Sequence, residues 1–148
     1  MSGKITFEKR EGKYHAMFVE RAGALEELAI PAQQPIPHEM FHYAVETRLR
    51  KRGFFHRAAA GEGAGFSMAA NPTSEAVERL VETMQADSWS GRPAASEVLE
   101  LFAVACAARG DAPFALNDDD IANIRAEIDS LAAQWTALPV RGRMTLEV

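Results

Sequence analysis

One cysteine, Cys106, is all the sulfhydryl chemistry this chain of 148 residues contains. An intramolecular disulfide and a thiolate zinc cluster are therefore excluded. The neighbours of Cys106 in "VLELFAVACAARG" are apolar and include no histidine, so it is expected to pack as a small hydrophobe. Long apolar runs are missing too. The longest, "LFAVACAA", falls far short of the ~20 residues a membrane helix needs. Positive charge is also short: 16 Lys and Arg stand against 21 Asp and Glu, a net charge of -5. Nucleic-acid and membrane partners are not expected, because neutralising phosphates takes a clustered basic surface. The opening "MSGKITFEKR" is polar from the start, so no signal peptide is expected and the expected location is cytoplasmic.

What is present fits an ordinary folded domain. Hydrophobic residues make up 47% and charged residues 25% of the chain, within the range of globular proteins. No repeat, linker or composition break divides it, so a single domain over 1–148 is expected. Residues 4–20 alternate apolar and polar around "REGK". Ile5 and Phe7 share one face, and His15, Met17 and Val19 share a face of the next segment, which is a hairpin pattern. "RAGA" reads as a second turn, and the two-residue spacing of Leu28 and Ile30 favours a third strand. Three prolines in "PAQQPIP" then end the strand pattern.

Helical periodicity follows. Phe41, Val45 and Leu49 recur every four residues after Pro37, which suits a first helical position, and Gly53 is the expected stop. Three further helices are expected. Val77, Leu80, Val81 and Met84 stripe the first; Val98, Leu101, Phe102 and Ala105 the second. Ile121, Ile124, Ile128, Leu131, Trp135 and Leu138 stripe the third, which Asn117 or Asp118 caps. That last stripe is too short to claim a coiled-coil dimer, so it reads as core, and a homo-oligomer stays open. Met144, Leu146 and Val148 alternate after Pro139 and imply a C-terminal strand that joins the N-terminal hairpin. The expected fold is α+β: a small antiparallel sheet closed by both chain ends, packed with about four helices.

The chemistry concentrates in "HEMFH", residues 38–42. It matches H-E-x-x-H, in which two histidines one helical turn apart ligate zinc and the glutamate, here Glu39, serves as catalytic base. On a helical wheel His38, His42, Glu46 and Glu39 fall within about 100° of one another, at the border of the apolar face. A catalytic zinc needs a third protein ligand. Glu46 faces the right way but lies about 12 Å along the axis from His38, too far to share an ion on a straight helix. His56, Glu62, Glu75, Glu78 and His15 are the other candidates, with His56 or an acid between 62 and 82 foremost. The candidate metal set is thus His38 and His42, with His56, or less directly Glu46, as a further ligand. The metzincin extension does not follow His42. Both histidines can equally serve the fold, by bonding to Glu46 and other acids.

The surrounding segment "IPHEMFHYAVETRLRKRGFF" resembles a segment of a family of small uncharacterised bacterial proteins, of the form "PHDLxHFVVExxLGLRxGFWG". The resemblance covers the first 60 residues. His38, His42, Val45, Glu46, Gly53, Phe54 and Phe55 correspond, while aspartate stands in place of Glu39 and glycine in place of His56. It implies that the shared unit is the His38–His42–Glu46 stripe, and it supplies no reaction.

Other features read plainly. Arg50, Arg52 and Arg57 cluster near the histidines and are candidates for an anion site, though a cationic helix end explains them equally simply. "GEGAGF" does not fit a phosphate-binding loop and reads as a connector. "NDDDI" lacks the spacing of a calcium loop. Ser67, Ser88 and Ser90 show no histidine–acid context. The favoured reading is a non-enzymatic binding or interaction module with a structural His/Glu helix. The alternative is a zincin-like, metal-dependent hydrolase in which His38 and His42 hold zinc and Glu39 is the base; zinc is the one cofactor the motif admits.

Overall fold

A computed structural model describes residues 3–62 and 69–148. Ser67 and residues 63–66 of "GEGAGF" lie outside them. The alternating segments form strands β1 (Lys4–Glu8), β2 (Tyr14–Arg21) and β3 (Ala24–Pro31). The β2–β3 turn puts Ala22 and Gly23 at φ of 53° and 79°; two consecutive positive φ values make the tight hairpin connection whose twist matches its strands. The C-terminal alternation becomes β4 (Arg143–Glu147), which pairs antiparallel with β1, Ile5 opposite Leu146. The sheet order is β3-β2-β1-β4. Both chain ends therefore meet in its middle and edge, as the alternation of Met144 and Leu146 implied.

Five helices follow among the described residues: α1 (His38–Leu49), α2 (Phe54–Ala59), α3 (Pro72–Trp89), α4 (Ala95–Arg109) and α5 (Asp118–Ala137). The fold is α+β, with one short helix more than the sequence periodicity predicted. At six residues, α2 is too brief to show a periodic stripe. Asn71 and Asn117 each begin a capping box, with Ser74 and Asp120, satisfying donors that the first turn leaves free. None of these helices is long and apolar enough to cross a membrane.

The sheet buries Ile5, Phe7, Met17, Val19 and Ile30 in the core, and α1 packs against both α3 and α5. The α1 helix is enclosed on more than one side: Met40, Phe41, Ala44 and Val45 are buried, and so are the polar His42 and Glu46. The Ile121-to-Trp135 stripe of α5 is buried in this same core, which accounts for it without a partner helix.

One sequence expectation changes at the end of α1. The helix stops at Leu49, and Arg50, not Gly53, takes the left-handed conformation, with φ 53° and ψ 43°. Gly53 instead precedes α2 as its N-cap, at φ -95°. No turn requires glycine there; close packing does. A Cβ on Gly53 would lie 2.6 Å from the Glu46 carboxyl and 2.9 Å from Val77 Cγ1. Gly53→Ala is expected to lower stability by about 1–3 kcal/mol, the usual cost of overpacking, read as a reduced urea midpoint at unchanged slope.

Candidate metal centre

Glu46 is fully buried, and an isolated carboxylate in such a place is costly unless every lone pair is used. Here they are. Oε1 accepts from the backbone N–H of Gly53 (3.0 Å) and of His56 (2.9 Å) and bonds to the His56 ring at Nδ1 (2.9 Å). Oε2 accepts from the Phe55 N–H (3.1 Å) and bonds to His42 Nδ1 (3.0 Å). The three backbone donors belong to the unsatisfied first turn of α2, which has no cap from its own N-cap residue. Glu46 supplies that cap from a different helix. Burial would raise its carboxyl pKa, but the hydrogen bonds from His42 and His56 outweigh burial and hold it at about 2. An ionised Glu46 can only accept, so the Nδ1 atoms of His42 and His56 carry hydrogens.

His42 is therefore tethered through Nδ1, and its Nε2 points at α3, where Glu78 Oε2 lies 2.7 Å away. His38 is held in the same fashion. Its Nδ1 is 2.7 Å from the Gln85 side-chain oxygen and its Nε2 is 3.2 Å from Glu78 Oε1. The two rings meet edge to face at 4.9 Å. His38, His42 and Glu78 each offer one ligand atom, all within 4.8 Å of one another. Tetrahedral zinc with bonds of about 2.05 Å sets its ligands about 3.3 Å apart, so the widest separation must close by up to about 1.5 Å to seat an ion.

Burial works against charge on His42, but hydrogen bonds to Glu46 and Glu78 outweigh it and push the pKa up to about 9. His38 is raised as well, burial opposing and Glu78 more than compensating. The Glu78 carboxyl is held well below the usual carboxylate range, since both imidazoles outweigh its own desolvation. Without an ion, the cluster is thus a carboxylate shared by two imidazole rings that favour their cationic forms.

Glu39, the remaining member of the motif, makes none of these bonds. Its Oε2 is buried without a hydrogen-bond partner, although it lines the same cavity as His38, His42 and Glu78. Buried polar atoms are normally paired, and an unpaired one marks a place where a water or a ligand belongs.

The other sequence candidates lie elsewhere. His56 and Glu46 bond to each other behind His42 and do not join the ligand cluster. His15, on β2, accepts from the Arg10 backbone N–H and packs edge-on to Trp135. Arg52 and Arg57 both pair with Glu62, and the exposed Arg50 is the C-cap of α1; one carboxylate already answers two of the three cations proposed for an anion. Cys106 is buried, and desolvation pushes its thiol pKa up, away from the reactive thiolate. Gln85 was not among the sequence candidates at all. Comparison of the chain with family models, with curated proteins and with solved structures finds no match.

Proposed function

We propose that the chain holds a divalent zinc ion at His38, His42 and Glu78 and uses it for hydrolysis, with Glu39 as the general base. The observation that carries this reading is the second bond of each histidine. Gln85 behind His38 and Glu46 behind His42 fix the Nδ1–H form of both rings and aim both Nε2 atoms at Glu78. Outer-shell acceptors of this kind are how proteins orient metal-binding imidazoles. Two imidazoles and a carboxylate are also the donor set of one class of catalytic zinc.

When bound, zinc lowers the pKa of a coordinated water to about 7 and polarises a substrate carbonyl. The chain's own residues supply the rest. Glu39, unpaired beside the cluster, takes a proton from the water as its oxygen bonds to the carbonyl carbon. It returns that proton to the leaving oxygen or nitrogen as the old bond breaks. We prefer it to the binding module favoured by the sequence alone because a structural His/Glu helix gives the buried Glu39 Oε2 no partner.

Metal content tests it. After dialysis against zinc, mass spectrometry is expected to find about one zinc per chain, lost in His42→Ala and in Glu78→Ala. Glu39→Gln is expected to keep the zinc and to lose hydrolytic rate by about 10²- to 10⁴-fold, the usual contribution of a general base. Wild-type protein that leaves dialysis without zinc would reduce the cluster to an ion-pair network.

A further inference from the structure

The histidine cluster stands at a cavity of about 930 Å³, large for a site that needs room only for water. Phe54 and Phe55 begin one wall, the Phe54 ring lying 6.2 Å from that of His42. Ala58 continues that wall along α2, and Ile5, Met17, Leu28 and Ile30 face it from the sheet; Leu28 is part-exposed and the others show 1–6% of their surface, so the cavity is narrow along them. The far end is fixed by strand register. Val19 is opposite Glu26 and Arg21 opposite Ala24, so Arg21 and Glu26, which also line the cavity, stand at the β2–β3 hairpin. Their side chains are half exposed and form an ion pair at 3.9 Å.

Between the histidines and that ion pair the lining is apolar; Tyr14, opposite Pro31, stands at the other end of the strands from Arg21. An occupant with a polar group along its length would lose water there and gain no partner. The space lies between a sheet face and a helix, so it is a slot. From Ile30 to Glu26 it runs four strand residues, about 13 Å. That is the length of about ten or eleven tetrahedral carbons in extended form.

We propose that this slot takes the linear aliphatic chain of an acyl ester or amide, which places the acyl carbonyl at His38, His42 and Glu78. The proposal rests on the metal reading above and names its substrate class. Water adds its oxygen to the acyl carbon and the carbon–oxygen or carbon–nitrogen bond breaks. A fatty acid leaves with an alcohol or amine that has received the proton held by Glu39.

A series of n-alkanehydroxamates, from two to twelve carbons, tests the slot without requiring turnover. The hydroxamate head binds zinc and its tail reports the cavity. On zinc-loaded protein, calorimetric affinity is expected to rise about fourfold per methylene, as burial of one CH₂ implies, and to level off at about ten or eleven carbons. Ala58→Trp and, on the edge strand, Leu28→Trp should each move the plateau to shorter chains; two sites guard against a variant that fails to fold. Hydroxamates that bind zinc-loaded protein with no dependence on chain length overturn the acyl proposal and leave the metal site standing. Protein that retains no zinc overturns the metal reading, and the substrate assignment falls with it.

Discussion

Glu46→Ala is expected to cost the chain about 3–5 kcal/mol, the range for removing one partner of a buried ion pair. Typical domains are stable by only 5–15 kcal/mol, so the variant should show a greatly lowered urea midpoint or fail to fold. The size of the effect follows from what Glu46 holds. Its loss strands three backbone N–H groups at the start of α2 and the Nδ1–H of two histidines. Each buried donor without an acceptor costs about 1–3 kcal/mol unless water reaches it. Glu46→Gln keeps the volume but exchanges one acceptor oxygen for an NH₂ group, which meets donors on whichever side it faces, so it too should destabilise. Asp129→Ala is the control. The Arg92–Asp129 pair is shorter, at 2.5 Å, but the Asp129 side chain is 60% exposed, and exposed pairs contribute at most about 1 kcal/mol. Equal, small losses for both variants would contradict the role given to Glu46.

The same carboxylate shows where sequence reasoning reached and where it stopped. Strand alternation placed β1, β2 and β4 because period two survives in any sheet with one buried face. The stripes of α3 and α5 were equally legible. Spacing also put His38, His42 and Glu46 in one quadrant. It could not show that His42 and Glu46 bond to each other while Glu46 reaches onward to the next helix. That depends on the Arg50 turn, and a left-handed arginine has no sequence signature. Gly53 was noticed for the wrong reason: its value is space for the Glu46 carboxyl, which only tertiary packing reveals.

The third ligand was half legible. Glu78 was one of five candidates, and the helical wheel of α3 could have ranked it. Taking Glu78 as zero, Val81 lies about 60° to one side and Gln85 about 20° to that same side, while Glu82 and Glu75 fall about 40° and 60° to the other. Of the three glutamates Glu78 is therefore nearest the apolar stripe, and the one that packing against α1 would bring to the histidines; Asp87, about 20° from Leu80 on the opposite edge, pairs with Arg125 instead. Gln85, two turns on, marks the same edge. What no wheel supplies is which helix α3 faces, since that choice is made by the whole core.

Proton competition yields the second large effect. In the metal-free protein His42 has a folded pKa of about 9 against 6.5 unfolded. Its contribution to stability is complete below pH 6.5 and is lost as pH rises through 9. Glu46, at about 2 against 4.5, contributes fully above pH 4.5 and loses that contribution as pH falls through 2. Metal-free protein should therefore be most stable between about pH 4.5 and 6.5. Zinc reverses the alkaline side of this profile. It needs His42 Nε2 unprotonated, so below pH 9 each ion bound must expel the His42 proton, and the apparent affinity falls about tenfold per pH unit. His38, also raised, steepens the fall on the acid side. At a fixed excess of zinc, the stabilisation it confers should grow by at least about 1.4 kcal/mol per pH unit from 6 to 8.5. Thermal unfolding with and without zinc at several pH values measures it. A zinc-induced shift that is flat across this range would place the ion on carboxylates alone, away from His42. One that grows with pH and disappears in His42→Ala would put it between His42 Nε2 and Glu78, where a proton otherwise sits.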